Sequence, residues 1–425
     1  MSPRPPTFKV PTALWRCRSE EDLSPFSFLS CDVEGCAVAV IEFSERVKRL
    51  PPYIFAELEK IINEKKRMGL DVIPLSIGDP DLPPPPFVLE ALKEESSNPK
   101  NHNYSLSQGE LEFREAVAEW YKGRFGVDLD PEREVIALIG SKEGVANIAR
   151  AFVNPGDRVL VPDPAYPVYA NGGTILSGGI PVPVPLLEEN GFKPDLNHLA
   201  EKDAKMLFLN YPNNPTGAVM DKPYLKEIVE IAREKNIAVC YDNAYSEVTF
   251  DGYKAPSILE VDGAMDVAVE FHTCSKTFNM TGDRIGFAVG NPKLIEGLLK
   301  VKTQVDSGPP VYIQKVAAKA LRSYVNGEPP EYVKQVNRTY AERRNLLVEK
   351  LNSLGLRCKK PLATFYVWLK CGMDSMKFAM RLLDAGVLVT PGIGFGKHGE
   401  GYVRFSVTQP IERIKEACER IAEAL

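Results

Sequence analysis

The sequence predicts an α/β protein: a large domain built on a mainly parallel sheet, followed by a smaller α+β domain. Two patterns carry this reading. Between residues 135 and 289, short apolar runs alternate with helical segments, and strand, helix, strand repeated in this way buries a parallel sheet on both faces. Beyond residue 312, a long helical stretch gives way to half-buried alternating strands and a closing helix, a change of period that marks a second unit.

Taken in order, residues 1–35 carry Pro3, Pro5, Pro6, Pro11 and Pro25 with scattered aromatics and no period, as in an extended arm or a poorly ordered extension. Past Pro51 and Pro52, apolar residues at Ile54, Phe55, Leu58, Ile61 and Ile62 predict an amphipathic helix, able to lie on a partner subunit or on its own domain. Residues 73–81 read as a strand ending in a turn at Gly78. Pro83 to Pro86 then form a stiff connector, which places a domain boundary nearby. A helix is expected over 110–124, with Leu111, Ala116 and Val117 inward and Tyr104 and Gly109 in the turn before it. Buried strands are expected at 135–139, 159–161, 206–209, 237–240, 267–271 and 285–289. The stretch 312–350 reads as one long helix with Arg343 and Arg344 on its solvated face. Strands at 365–369 and 402–407 and a helix over 411–425 complete the chain.

Composition narrows the function. With 44% hydrophobic residues in 425 the chain can bury a substantial core, and a formal charge of −5 leaves no basic surplus for nucleic acid or anionic lipid. No apolar run approaches the roughly 18 residues a membrane span needs, and the N-terminus lacks the layout of a signal peptide. Eight cysteines, with no C-x-x-C pair and no metal-like spacing to the four histidines, read as reduced thiols in a cytoplasm. Small-molecule chemistry is favoured, with no metal, nucleic-acid or membrane partner.

Parallel sheets bind ligands at the carboxyl ends of their strands, and that is where the polar residues fall. Lys276 follows an apolar run containing Val267, Val269 and Phe271; burial there would lower its pKa and make it nucleophilic toward aldehydes. Arg284, eight residues on, with Thr273 and Ser275, offers a fork of donors for a phosphate monoester. A nucleophilic lysine beside a phosphate site suggests pyridoxal phosphate held as a Schiff base. A solvated Ser-Lys turn is the plain alternative. The turn from Gly140 through Ser141, Lys142 and Glu143 to Gly144 opens a helix and can present amides and a helix dipole to an anion, or be an ordinary glycine turn. Tyr166 offers a flat face to an aromatic ring or to the core. Asn214, between Pro212 and Pro215, is a firmly fixed amide suited to donate to a phenolate. Asp242 ends a buried strand, where a carboxylate is costly unless paired, so a cationic pyridinium partner fits.

With Asn214-Pro215-Thr216-Gly217, Asp242 and Tyr245, Ser275-Lys276, Arg284 and Arg404 in that order, the chain resembles the class I/II aminotransferases of the fold-type I pyridoxal-phosphate family over residues 42–425. The resemblance implies a seven-stranded-type sheet and a division into an extension (1–41), an arm with part of the small domain (42–85), a large cofactor domain (86–310) and a small C-terminal domain (311–425). It also implies that pyridoxal 5'-phosphate is bound by Lys276, which moves the proton during catalysis, with Asp242 at the pyridine nitrogen. Asn214 and Tyr245 would meet the phenolate oxygen, and Tyr166 would stack on the ring. Ser141, Lys142, Thr273, Ser275 and Arg284 would hold the phosphate, with Tyr104 reaching in from the other subunit of a homodimer. Arg404 and the Gly78 backbone would take the substrate α-carboxylate. The runs at 139–144, 171–174, 244–247 and 390–396 are similar to the LL-diaminopimelate aminotransferases, implying transfer of an amino group between an amino acid such as LL-diaminopimelate and a 2-oxo acid such as 2-oxoglutarate, as in lysine biosynthesis. Asp283, where such sequences usually carry tryptophan, is expected either to favour a cationic substrate near the cofactor or to pair with a nearby Arg or Lys and only hold the loop, and it keeps a pyridoxal-phosphate lyase, oxidase or cyclase as the alternative. Residues 105–107 and 307–312 also depart from the pattern expected of the substrate-facing loops.

Overall fold

The computed structural model describes residues 41–425; the expected N-terminal extension lies almost wholly outside them. Residues Ser44–Leu425 form one compact unit. In chain order its strands are β1 (Ile73–Pro74), β2 (Val135–Leu138), β3 (Arg158–Asp163), β4 (Ile180–Pro185), β5 (Met206–Asn210), β6 (Ala238–Asp242) and β7 (Ala268–Thr273). Then come β8 (Gly286–Gly290), β9 (Arg357–Cys358), β10 (Tyr366–Lys370), β11 (Val387–Leu388), β12 (Thr390–Pro391) and β13 (Tyr402–Ser406).

A seven-stranded sheet runs in the order β2-β8-β7-β6-β5-β3-β4. Its pairs are parallel except those that β8 makes with β2 and β7. Strands β2, β5 and β7 are buried along their whole length, as the continuous apolar runs require when helices cover both faces. One face packs on Phe113, Trp120 and Tyr121 of the helix Leu111–Phe125. The other packs on Val145 and Ile148 of Ser141–Phe152 and on Leu294 and Leu298 of Pro292–Lys302. Strand β4 went unread because prolines at 181, 183 and 185 mask its alternation. It is tolerated because it lies at the sheet edge, where a missing N–H costs little.

A second sheet, β12-β13-β10-β9, carries its own apolar core with Leu347, Ile414 and Phe405. Two expectations need correction here. The long helix is two, Val311–Leu321 and Glu331–Ser353, separated where Gly327 turns with φ 75 and Pro329 and Pro330 cannot continue a helix. Arg343 and Arg344 are buried, not solvated. Their guanidinium groups meet Asp81 at 2.8 Å and Asp251 at 3.0 Å, acids that arrive from distant segments and leave no trace in the helix's own periodicity.

Candidate active site

The carboxyl ends of β5, β6 and β7 open into a cavity of about 710 Å³. At one end, backbone geometry builds an anion site. Gly140 (φ 93) turns the chain from β2 into the helix Ser141–Phe152, leaving that helix's first amides and dipole directed outward. Arg284 sits against this turn, donating to the carbonyls of Ile139 at 3.0 Å and Thr281 at 2.8 Å. The contact is so close that a Cβ on Gly140 would lie 2.5 Å from Arg284 Nη2. Thr273 and Ser275 line the same end, Thr273 accepting the Ser275 amide at 3.2 Å.

At the other end Asp242 terminates β6. Burial pushes its pKa up to about 6, while a hydrogen bond from Tyr169 (2.8 Å) pulls the other way. Lys276 shares the cavity with both ends. Its amine donates to the Gly78 carbonyl at 3.0 Å, and burial, with Arg284 and Arg404 nearby, lowers its pKa to about 8 against the opposing field of Asp79. Half of such amines are neutral near pH 8, where an ordinary lysine is almost wholly protonated.

Arg404, on β13 of the small sheet, is buried and reaches over: Nη1 donates to Asn214 Oδ1 at 2.6 Å and Nη2 to the Ser76 carbonyl at 2.7 Å. Its guanidinium stacks on Tyr366 at 4.1 Å. Because Asn214 gives its oxygen to Arg404, its NH₂ remains as a donor. Tyr245 and Tyr366 hydroxyls stand 3.1 Å apart.

An anion cradle, a buried carboxylate and an activated lysine in one cavity match what a scan of the whole sequence finds: residues 70–421 fit the model of "Aminotransferase class I and II". The chain belongs to that family. LL-diaminopimelate aminotransferases of Desulforudis audaxviator and Aquifex aeolicus are each 52% identical to it over 388 residues, covering 90% of this chain and 97% and 99% of theirs. Apo-BacF from Bacillus subtilis superposes with a TM-score of 0.85 at 37% identity, over 90% of this chain and 98% of its own. Thermus thermophilus aspartate aminotransferase with maleate gives 0.85 at 32%, over 91% and 100%. The protein is an aminotransferase with the expected α/β fold.

Of the residues expected in this aminotransferase's site, Gly78, Ser141, Lys142, Tyr166 and Asn214 line the cavity, as do Asp242, Tyr245, Thr273, Ser275, Lys276, Arg284 and Arg404. Tyr104 does not; it is 92% exposed. Lys142 points to the mouth, 3.3 Å from the Tyr53 hydroxyl and over the rings of Tyr53 (5.1 Å) and Tyr166 (5.7 Å). Asp283 is half-buried and does not itself line the cavity, although its neighbours Gly282 and Arg284 do. The acids that line the cavity are Asp242, Asp79 and Glu59. Tyr53, Ser76, Tyr169 and Tyr366 also line it and were not picked out from sequence. Tyr366 alternates in β10 like any core aromatic, and Tyr169 opens a π-helical turn, Tyr169–Thr174, which has no apolar period to read.

Proposed function

We propose that this aminotransferase holds pyridoxal 5'-phosphate on Lys276 and moves an amino group between LL-diaminopimelate and 2-oxoglutarate. The observation that carries the reading is a lysine with a lowered pKa in one cavity with an arginine-lined helix N-terminus and a buried carboxylate. That donor set fits the cofactor: a dianion for the helix amides, Arg284, Thr273 and Ser275, and a ring nitrogen for Asp242. When bound, the cofactor supplies an electron-poor ring that stabilises the charge left when the donor's α-proton is removed.

The chain's residues would do the rest. The Lys276 amine, with a pKa of about 8, is a base matched to neutral pH. The Asn214 amide and the Tyr245 hydroxyl are donors for the ring oxygen, and Tyr166 offers its face to the ring. Arg404, held planar by Asn214, Ser76 and Tyr366, presents the fork a carboxylate takes. We assign Lys142 to a substrate's second carboxylate and not to the phosphate, because its amine stands with Tyr53 at the mouth. A dicarboxylic substrate such as diaminopimelate or 2-oxoglutarate engages both cations. The wide exposure of Tyr104 supports a homodimer in which the second copy's tyrosine completes the phosphate site. Five described cysteines are free thiols, in keeping with a cytoplasmic setting.

The test is a panel of amino acids added one at a time to the holoenzyme without acceptor, read by cofactor absorbance. LL-diaminopimelate and glutamate should convert the cofactor to its amine form, and 2-oxoglutarate should restore it. No conversion by any donor, with ammonia or hydrogen peroxide released instead, would favour the lyase or oxidase reading.

A further inference from the structure

The carboxylate of Asp242 has an unequal pair of supports. Oδ1 meets the Ala244 amide at a long 3.3 Å, whereas Oδ2 receives the Tyr169 hydroxyl at 2.8 Å. The Tyr169 ring is fixed from several sides. It is fully buried, stacked on Phe208 of β5 (centroids 5.4 Å, 21°) and edge-on to Tyr166 (6.0 Å, 84°). Its carbonyl accepts the Thr174 hydroxyl at 2.8 Å, closing the π-helical turn beneath it. The other groups whose charge reaches Asp242 are otherwise engaged. His272 on β7 is bonded to Glu270 at 2.7 Å, Tyr245 is bonded to Tyr366, Tyr166 is bonded to Tyr53, and the Tyr241 hydroxyl donates to the Tyr211 carbonyl at 2.8 Å.

We propose that Tyr169 is a positioning residue for the cofactor: its hydroxyl locks the Asp242 carboxylate in one orientation and favours its charged form, so that the ring nitrogen meets an anion. This rests on the pyridoxal phosphate reading above. The direction of the hydrogen bond is fixed. Burial and the neighbouring Asp242 hold the phenol well above its ordinary pKa, so it keeps its proton, and toward an ionised carboxylate, which has none to give, it donates. Burial alone disfavours the Asp242 charge, and the Tyr169 hydroxyl opposes it. A phenol in this place has a second consequence. Tyr169 touches Tyr166, and Tyr166 touches Lys142, so one packed row links Asp242 to the cation at the cavity mouth.

The experiment compares Tyr169→Phe, which removes the hydroxyl and keeps the ring, with Phe208→Leu, which loosens the ring and keeps the hydroxyl. In cofactor-free protein the carboxyl carbons of ¹³C-aspartate are titrated by NMR, with Asp242→Asn identifying the signal, and the pyridoxal phosphate dissociation constant is measured on each variant. Tyr169→Phe should raise the Asp242 midpoint by about one pKa unit and weaken cofactor binding roughly tenfold, one unit being a tenfold change. In the loaded enzyme it should lower kcat more than it raises KM. Phe208→Leu should leave the midpoint and the dissociation constant within about twofold, the hydrogen bond being intact. An unshifted midpoint in Tyr169→Phe, or equal shifts in both variants, would overturn the proposal. A midpoint shifted in Tyr169→Phe, together with a wild-type protein that does not bind pyridoxal phosphate, would overturn the cofactor reading and leave the Tyr169–Asp242 coupling standing.

Discussion

Lys276 is kept at a cost, which its proposed role toward the cofactor would explain. An unfolded lysine titrates near 10.4 and the folded one at about 8, chiefly through burial. Between those values the unfolded chain binds more protons, so the stability of cofactor-free protein should rise with pH across that window. Lys276→Met should abolish this dependence, stabilise the cofactor-free protein at pH 7 by about 3 kcal/mol, and abolish turnover. Urea unfolding at pH 7 and pH 10 checks the first two, and equal pH slopes in the two proteins would contradict the burial argument. Asp242→Asn should cost several orders of magnitude in turnover with the fold intact, and a variant near wild-type rate would remove the ring-nitrogen role. Both residues were legible in sequence because each ends a buried apolar run, where a polar side chain has to be for a ligand. Tyr169 and the direction of Lys142 were not, since both depend on a π-helical turn and on Tyr53, which lies 89 residues from Lys142 in the chain.

At the scale of elements, two glycines hold the site's backbone. Gly140 takes φ 93 where its Cβ would strike Arg284, and a Cβ on Gly78 would fall 1.9 Å from the Tyr366 hydroxyl oxygen. Gly140→Ala should therefore displace Arg284 and weaken phosphate-bearing cofactor more than tenfold, the effect expected from losing one charge-assisted pair. Calorimetric titration checks it, with pyridoxal, which lacks the phosphate, as the insensitive control. The segment carrying Gly78 is tied to the helix Glu331–Ser353 by the pair Asp81–Arg343. Arg343→Ala, which removes the buried guanidinium's bond to Asp81, should destabilise by about 1 to 2 kcal/mol and raise KM, measured by unfolding and steady-state kinetics. The helix–strand alternation that predicts the central sheet is a local signal, and it survived. The break between residues 322 and 330 was missed because apolar spacing continues on either side of it, and the prolines that cause it were outweighed by that spacing.

For the molecule as a whole, the loop bearing Tyr104 is joined to the loop at Ser307 by a bond from Ser105 Oγ to the Ser307 carbonyl (2.8 Å), and Tyr104, Leu106 and Val305 are all exposed. The two loops that depart from the expected pattern thus form one surface feature, away from the cavity of their own chain. If a second copy receives it, mixing Tyr104→Phe with Lys276→Ala subunits should regenerate intact sites in the mixed dimers, about a quarter of all sites for random pairing in a two-fold dimer. Activity no higher than the sum of the separate variants would rule out the shared site. Such a surface has no sequence signature in a single chain, because what completes it is another molecule. Borohydride reduction of the enzyme with pyridoxal phosphate, followed by peptide mapping of the labelled lysine, tests the role of Lys276 most directly. The label should fall on the peptide containing Lys276, in one equivalent per chain; a label on Lys142 or any other lysine, with Lys276 unmodified, would contradict it.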